Sequence, residues 1–140
     1  MKNNEIAKLY FEEIWNKKNF ELAYDLISKE LTTRFPSTHG YGPEGLINVI
    51  KARYSIFPDL RFEIIDSVSE DNKIWVRYNF TGTHKGTFWN IKPTNQKVNF
   101  DGIILFNINL GKIIKASSIR DELTLLEQIR YLNINKDDNQ

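Results

Sequence analysis

The hydrophobic period of this chain changes once, near residue 60, and the change limits the fold more than any other feature. Before it, apolar residues recur at helical spacing: Ile6, Leu9, Tyr10, Ile14 and Trp15 make one stripe over 4–15, with Lys8, Glu12 and Glu13 between them. Residues 16–19 interrupt that helix, Asn19 is placed to cap the next, and Leu22, Ala23, Leu26 and Ile27 carry a short second one. An extended stretch over 31–35 leads into the loop STHGYGPEG. Pro43 suits the first turn of a third helix, which reaches about Tyr54 on Leu46, Ile47 and Ile50. FPDL at 57–60 reads as a turn.

After that turn the period becomes two. Phe62, Ile64 and Val68, then Ile74, Val76, Tyr78 and Phe80, alternate with polar residues around SEDNK, as in an antiparallel hairpin. Val98, Phe100, Ile104, Phe106 and Ile108 predict a long third strand, with a bulge suggested where Asp101 meets Gly102. A Gly-containing turn at 109–112 precedes a fourth strand over 113–120. A last helix from about Glu122 carries Leu123, Leu125, Leu126 and Ile129. Helices first and strands later predict an α+β fold, with the helices covering one face of a twisted antiparallel sheet.

With 140 residues the chain has room for one core, so a single domain is expected over 1–133, with 134–140 as a polar tail that frays. Nineteen basic and eighteen acidic residues give a charge of +1, with no clustered basic face of the kind nucleic acid requires. There is no cysteine and there are two histidines, which excludes thiolate sites and disfavours zinc. No apolar run is long enough to span a bilayer, so a cytoplasmic protein without a membrane partner is expected.

One stretch is more specific: TGTHKGTFWNIKPTNQKV at 81–98, with FPDL at 57–60 and GKIIKASSIRDELTLLEQI at 111–129. Together with WNKKNFELAYDLI and GPEGL it resembles, in order and spacing, the SnoaL-like polyketide cyclases (ester cyclases) of the NTF2-like superfamily. The resemblance implies a cone in which a curved antiparallel sheet wraps around the N-terminal helices and a central pocket. It also implies a homodimer paired through the sheet. The implied chemistry is a cofactor-free aldol ring closure, or a related isomerisation, in which one Asp before the last helix is both acid and base. That residue is Asp121 here. The chain departs from the family in having Asn90 and Asn95 where Gly is frequent, Ser117 where a Trp is common, and Arg34 where a His is often found.

Each candidate has two readings. Asp121 is a good N-cap, and helix amides would hold its pKa low, whereas burial in an apolar pocket could raise it from about 3.9 toward neutrality. His84 continues the inward parity of Val76, Tyr78 and Phe80, where it could donate a hydrogen bond to an enolate oxygen or instead pin the turn at 82–86. Phe11, Trp15 and Tyr78 line the expected pocket or are plain core. Arg34 binds an anionic or carbonyl group or is a surface cation. Ser117, on the parity of Asp121, leaves room for a ligand or fills an edge strand. His39 and Asp59 are assigned to turns. The expectation is catalysis by Asp121 and His84 on a small, largely apolar carbonyl compound. The alternatives are a non-catalytic small-molecule-binding protein and an adaptor that binds protein through its sheet.

Overall fold

The computed structural model describes residues 1–131, so the tail expected at 134–140 lies outside the described residues. The first helix, α1 (Asn3–Leu9), continues without a break as a π-helix over Tyr10–Asn16. The reason lies in its buried residues, which fall in pairs four apart: Ile6 and Ala7, Tyr10 and Phe11, Ile14 and Trp15. In an α-helix a step of four overshoots one turn by about 40°. Wider i→i+5 turns absorb that drift and keep all three pairs on the core side.

The second helix, α2 (Glu21–Leu26), starts one residue later than Asn19 would set it; Phe20 holds the cap position without a side-chain bond. Within the expected loop a single turn, α3 (Pro36–His39), precedes α4 (Gly42–Ile56), which has Pro43 in its first turn.

The four strands are β1 (Arg61–Glu70), β2 (Lys73–Thr83), β3 (Lys97–Asn109) and β4 (Lys112–Arg120). They form one antiparallel sheet in sequence order. Ile74, Val76, Tyr78 and Phe80 of β2 are buried against the helices. The chain closes with α5 (Glu122–Leu126) and a π-helical turn to Tyr131. The α+β architecture is that of the sequence reading: the curved sheet carries its core on the helix-covered, concave face.

Register decides which residues reach that core. The β2–β3 ladder runs without a slip from Lys73 opposite Asn107 to Thr83 opposite Lys97, so the bulge expected at Asp101-Gly102 is absent. Gly102 is instead required because a Cβ there would overlap the hydroxyl and ring of Tyr78, its cross-strand partner. Bulges occur elsewhere. Ile65 is the extra residue in β1, between Ile64 opposite Tyr78 and Asp66 opposite Arg77. Ile114 is the extra residue in β4, where Asn107 faces Lys115 but Ile108 faces Ile113. Each bulge turns the rest of its strand over. Val68 therefore lies beside Trp75 on the outer face, and Ser117 lies beside Leu105 on the same outer face.

Candidate functional site

Asp121 starts α5, and both of its carboxylate oxygens are engaged there. Oδ1 accepts the Thr124 amide at 3.1 Å and Oδ2 accepts the Thr124 hydroxyl at 2.7 Å. The Thr124 hydroxyl and then the Thr124 amide hold the carboxyl below its ordinary value, against the opposing effects of partial desolvation and then of the Asp101 charge. Asp121 is exposed and lines a shallow outer-face cleft of about 290 Å³ with Arg77, Asp101, Ile103 and Ile119. Across that cleft Arg77 pairs with Asp101 at 2.9 Å. An ionised, doubly hydrogen-bonded carboxylate is a weak base, and here it performs the cap.

His84 lies on the other face. It is fully buried beside Phe57, and its Nδ1 accepts the Thr94 amide at 3.2 Å, with the Thr94 hydroxyl 3.0 Å away. That pattern places the proton on Nε2, which has no hydrogen-bond partner among the described residues. Burial lowers the His84 pKa, and the Gly86 backbone opposes this only in part. With its backbone bonded to Gln96 and Asn95, His84 secures the 94–96 segment, while the Gly86 backbone beside its ring keeps it tied to the turn at 82–86 as well. The backbone N–H of Asp121 bonds Asp101, five residues farther along that stretch. Asp121 and His84 are therefore separated by roughly 16 Å along the strands and by the thickness of the sheet. One reacting atom cannot be within reach of both.

Three of the other candidates meet on the concave face. Phe11 packs against Tyr78 (5.6 Å between centroids) and Phe62 (5.2 Å), and Trp15 packs edge-on against Phe62 (4.8 Å). Their polar tips form a seam. The Trp15 indole Nε1 is buried without a hydrogen-bond partner among the described residues. The Tyr10 hydroxyl is the nearest acceptor: burial pushes that phenol up to about 12, and the adjacent Trp15 indole N–H pulls it partly back, although the two do not form a well-made hydrogen bond. The Tyr78 hydroxyl exchanges a 3.0 Å hydrogen bond with Ser118. Burial raises the Tyr78 pKa, while the Ser118 bond and the charges of Arg120 and Arg53 pull it down.

Arg53 and Arg120 stand at the Tyr78 end of this seam, where both charges act on the Tyr78 phenol. Arg120, with a side chain 16% exposed, donates from Nε to Glu122 Oε1 at 2.9 Å. Arg34, 70% exposed, stands 3.5 Å from the same carboxylate oxygen, so it sits at the rim. Burial by itself would raise Glu122, and the two guanidiniums overcome it, leaving the carboxyl below its ordinary value. Burial, then the nearby Arg120 charge, pushes Arg53 down to about 10, which leaves it charged at neutral pH. No cluster of three His, Asp or Glu among the described residues is placed to hold a metal ion.

A sequence model of the SnoaL-like polyketide cyclase family matches residues 5–129. The chain belongs to that family. No curated protein sequence matches this SnoaL-like chain. Solved structures do. TsrD from Streptomyces laurentii is 21% identical, with a TM-score of 0.81, over 91% of this chain and 93% of that one. A SnoaL-like polyketide cyclase from Agrobacterium tumefaciens is 22% identical, with a TM-score of 0.76, over 91% and 98%. IdmH from Streptomyces antibioticus is 25% identical, with a TM-score of 0.71, over 89% and 95%. Likeness at the level of the first two establishes the NTF2-like cone and nothing about chemistry. No helix among the described residues is long and apolar enough to cross a membrane.

The fold thus gathers Phe11, Trp15 and Tyr78, keeps Arg34 at the rim, and sends Asp121 and Ser117 to the outer face. Arg53, Arg120, Ser118 and Phe88 were not singled out in the sequence. A signal for Arg53 was present: it continues the stripe of Leu46, Ile50 and Phe57, which makes it a cation on an apolar helix face.

Proposed function

We propose that this SnoaL-like protein binds a small, largely apolar carbonyl compound on its concave face, and that Asp121 serves the fold rather than proton transfer. The observation that carries this is the buried, unpartnered indole N–H of Trp15. A buried donor without an acceptor costs about 1–3 kcal/mol, and a carbonyl oxygen at that position removes the cost. Tyr78, Ser118, Arg53 and Arg120 extend the same run of donors, so an acceptor-rich ligand suits it. Titrating acetophenone into the protein should shift the Trp15 indole resonance saturably, assigned through Trp15→Phe, and leave Trp75 in place. An unmoved Trp15 overturns the reading.

A second reading, cofactor-independent aldol-type cyclisation or isomerisation with Asp121 as acid and base, is supported by family membership and by the place of Asp121 before the last helix. It requires Asp121 to leave Thr124 and cross to the ligand. On any substrate found to turn over, Asp121→Asn separates the two. Full turnover supports the binding site without Asp121, and loss at unchanged melting temperature restores the acid/base role.

The outer face supports pairing of two copies. Val68, Trp75 and Leu105 form one cross-strand row and Ile103 and Ile119 the next, with Trp75 51% exposed and Ile119 80% exposed. Trp75→Lys should convert a dimer to a monomer in sedimentation with little change in unfolding; an unchanged sedimentation coefficient removes this face from the interface.

A further inference from the structure

The cation balance at the Tyr78 end of the seam narrows the ligand class, on the reading that the concave face is the binding site. Arg53 of α4 and Arg120 of β4 place their guanidinium carbons 5.9 and 5.8 Å from the centre of the Phe88 ring. Arg120 is bonded to Glu122; Arg53 makes no side-chain hydrogen bond or ion pair among the described residues. Two guanidiniums held near one ring in a half-buried setting repel each other, and removing charge from water without a partner is costly. One carboxylate, Glu122, faces these two cations, which leaves a single net positive charge. Arg34 also faces Glu122 and is felt by Arg53, but it is mostly in solvent, where salt screens its charge, so the single net charge is that of the groups withdrawn from water.

A single charge is matched by a monoanion. The planar guanidinium fork accepts a carboxylate in two parallel hydrogen bonds, whereas a phosphate dianion would overbalance the site. The Tyr78 and Ser118 hydroxyls lie beyond; one donates to the other, which leaves one hydroxyl hydrogen free to donate to a neutral oxygen. We propose that the ligand is a small keto or aryl carboxylic acid whose carboxylate lies between Arg53 and Arg120 beside Phe88, with a second carbonyl oxygen directed at Tyr78, Ser118 and Trp15. Arg53 is a half-buried cation that has the Phe88 ring beside it but no hydrogen bond or ion pair among the described residues.

The test compares 4-acetylbenzoate, its neutral isostere 4-acetylbenzamide and 4-acetylphenyl phosphate by calorimetry and by the Trp15 indole resonance. The acid should bind at least about tenfold more tightly than the amide, as expected for a charge-assisted pair. Arg53→Met should erase that preference while leaving the melting temperature unchanged or raised. Arg53→Lys, which keeps the charge but not the fork, should lose part of it. Equal affinity for acid and amide, or a preference that survives both Arg53→Met and Arg120→Met, overturns the proposal. Tighter binding of the phosphate overturns the carboxylate assignment. If acetophenone and the amide move Trp15 and the acid gains nothing, this inference fails and the concave-site reading stands; if none of the probes moves Trp15, both fail.

Discussion

The two faces of the sheet are built from the same four strands and carry opposite chemistry. On the concave face, Phe11, Phe62, Tyr78 and Phe106 pack ring on ring, and the polar atoms among them are mostly donors: Trp15 Nε1, the Tyr78 and Ser118 hydroxyls, Arg53 and Arg120. On the outer face, Asp121 stands exposed and Asp101 half-buried, with Arg77 paired to Asp101 and a row of uncovered apolar side chains alongside. On the proposed binding reading, the difference means that a carboxylate placed before the last helix in sequence serves the outer face of the fold. Asp101 and Asp121 are engaged in an ion pair and a cap outside, whereas the concave side offers hydroxyls and cations, with Glu122 as the carboxylate beside them.

That contrast can be broken in three graded ways. Phe106→Ala removes a fully buried ring that contacts Tyr10 and Phe11, and should cost about 3–5 kcal/mol in urea unfolding. A loss below about 1 kcal/mol would mean that the concave face is loosely packed. Asp121→Ala removes only the cap and should lower the melting temperature by a few degrees, with the Trp15 response to acetophenone intact. A silenced Trp15 response in that variant would join the two faces into one site. The smallest effect is that of His84. Its folded pKa is lowered, so the neutral ring favours the fold; this contribution is complete above about pH 6.5, the unfolded value, and is lost as pH falls toward the folded value. The urea midpoint should therefore decline between pH 7 and pH 5, and His84→Gln should flatten that limb. The lowered carboxyls of Asp59, Asp101 and Asp121 add their own loss only nearer pH 4, which keeps the two limbs distinct.

Most of the architecture could be read from periodicity, because helical stripes and alternation are both local signals. The hairpin at 61–83, the long β3 and the helix start at Glu122 all follow from such patterns. Parity along a strand was legible only as far as the first bulge. Ile65 and Ile114 carry no glycine or other mark of an extra residue, yet they send Val68 and Ser117 outward and bring Ser118 and Arg120 in. The inner lining of β4 was thus misread by one position. Asp121 was placed correctly at the helix start, and its two readings differ by the orientation of one side chain, which depends on Thr124. His84 was read as buried on the inward parity, but its partner Thr94 lies across a loop whose course alternation does not specify.

The π-helical continuation of the first helix gives the Trp15 donor an unusual dependence. In an ordinary α-helix the direction of a side chain follows from counting residues from the helix start, and small changes upstream leave it alone apart from rotation by whole positions. Here the aim of Trp15 is set by turn type as well as by count: were Tyr10–Asn16 to relax to α-helical pitch, the indole would swing away from the seam while every residue remained in place. The helix therefore acts as a gear with one oversized tooth, and the bearing of the Trp15 indole depends on backbone winding as well as on its packing against Phe62.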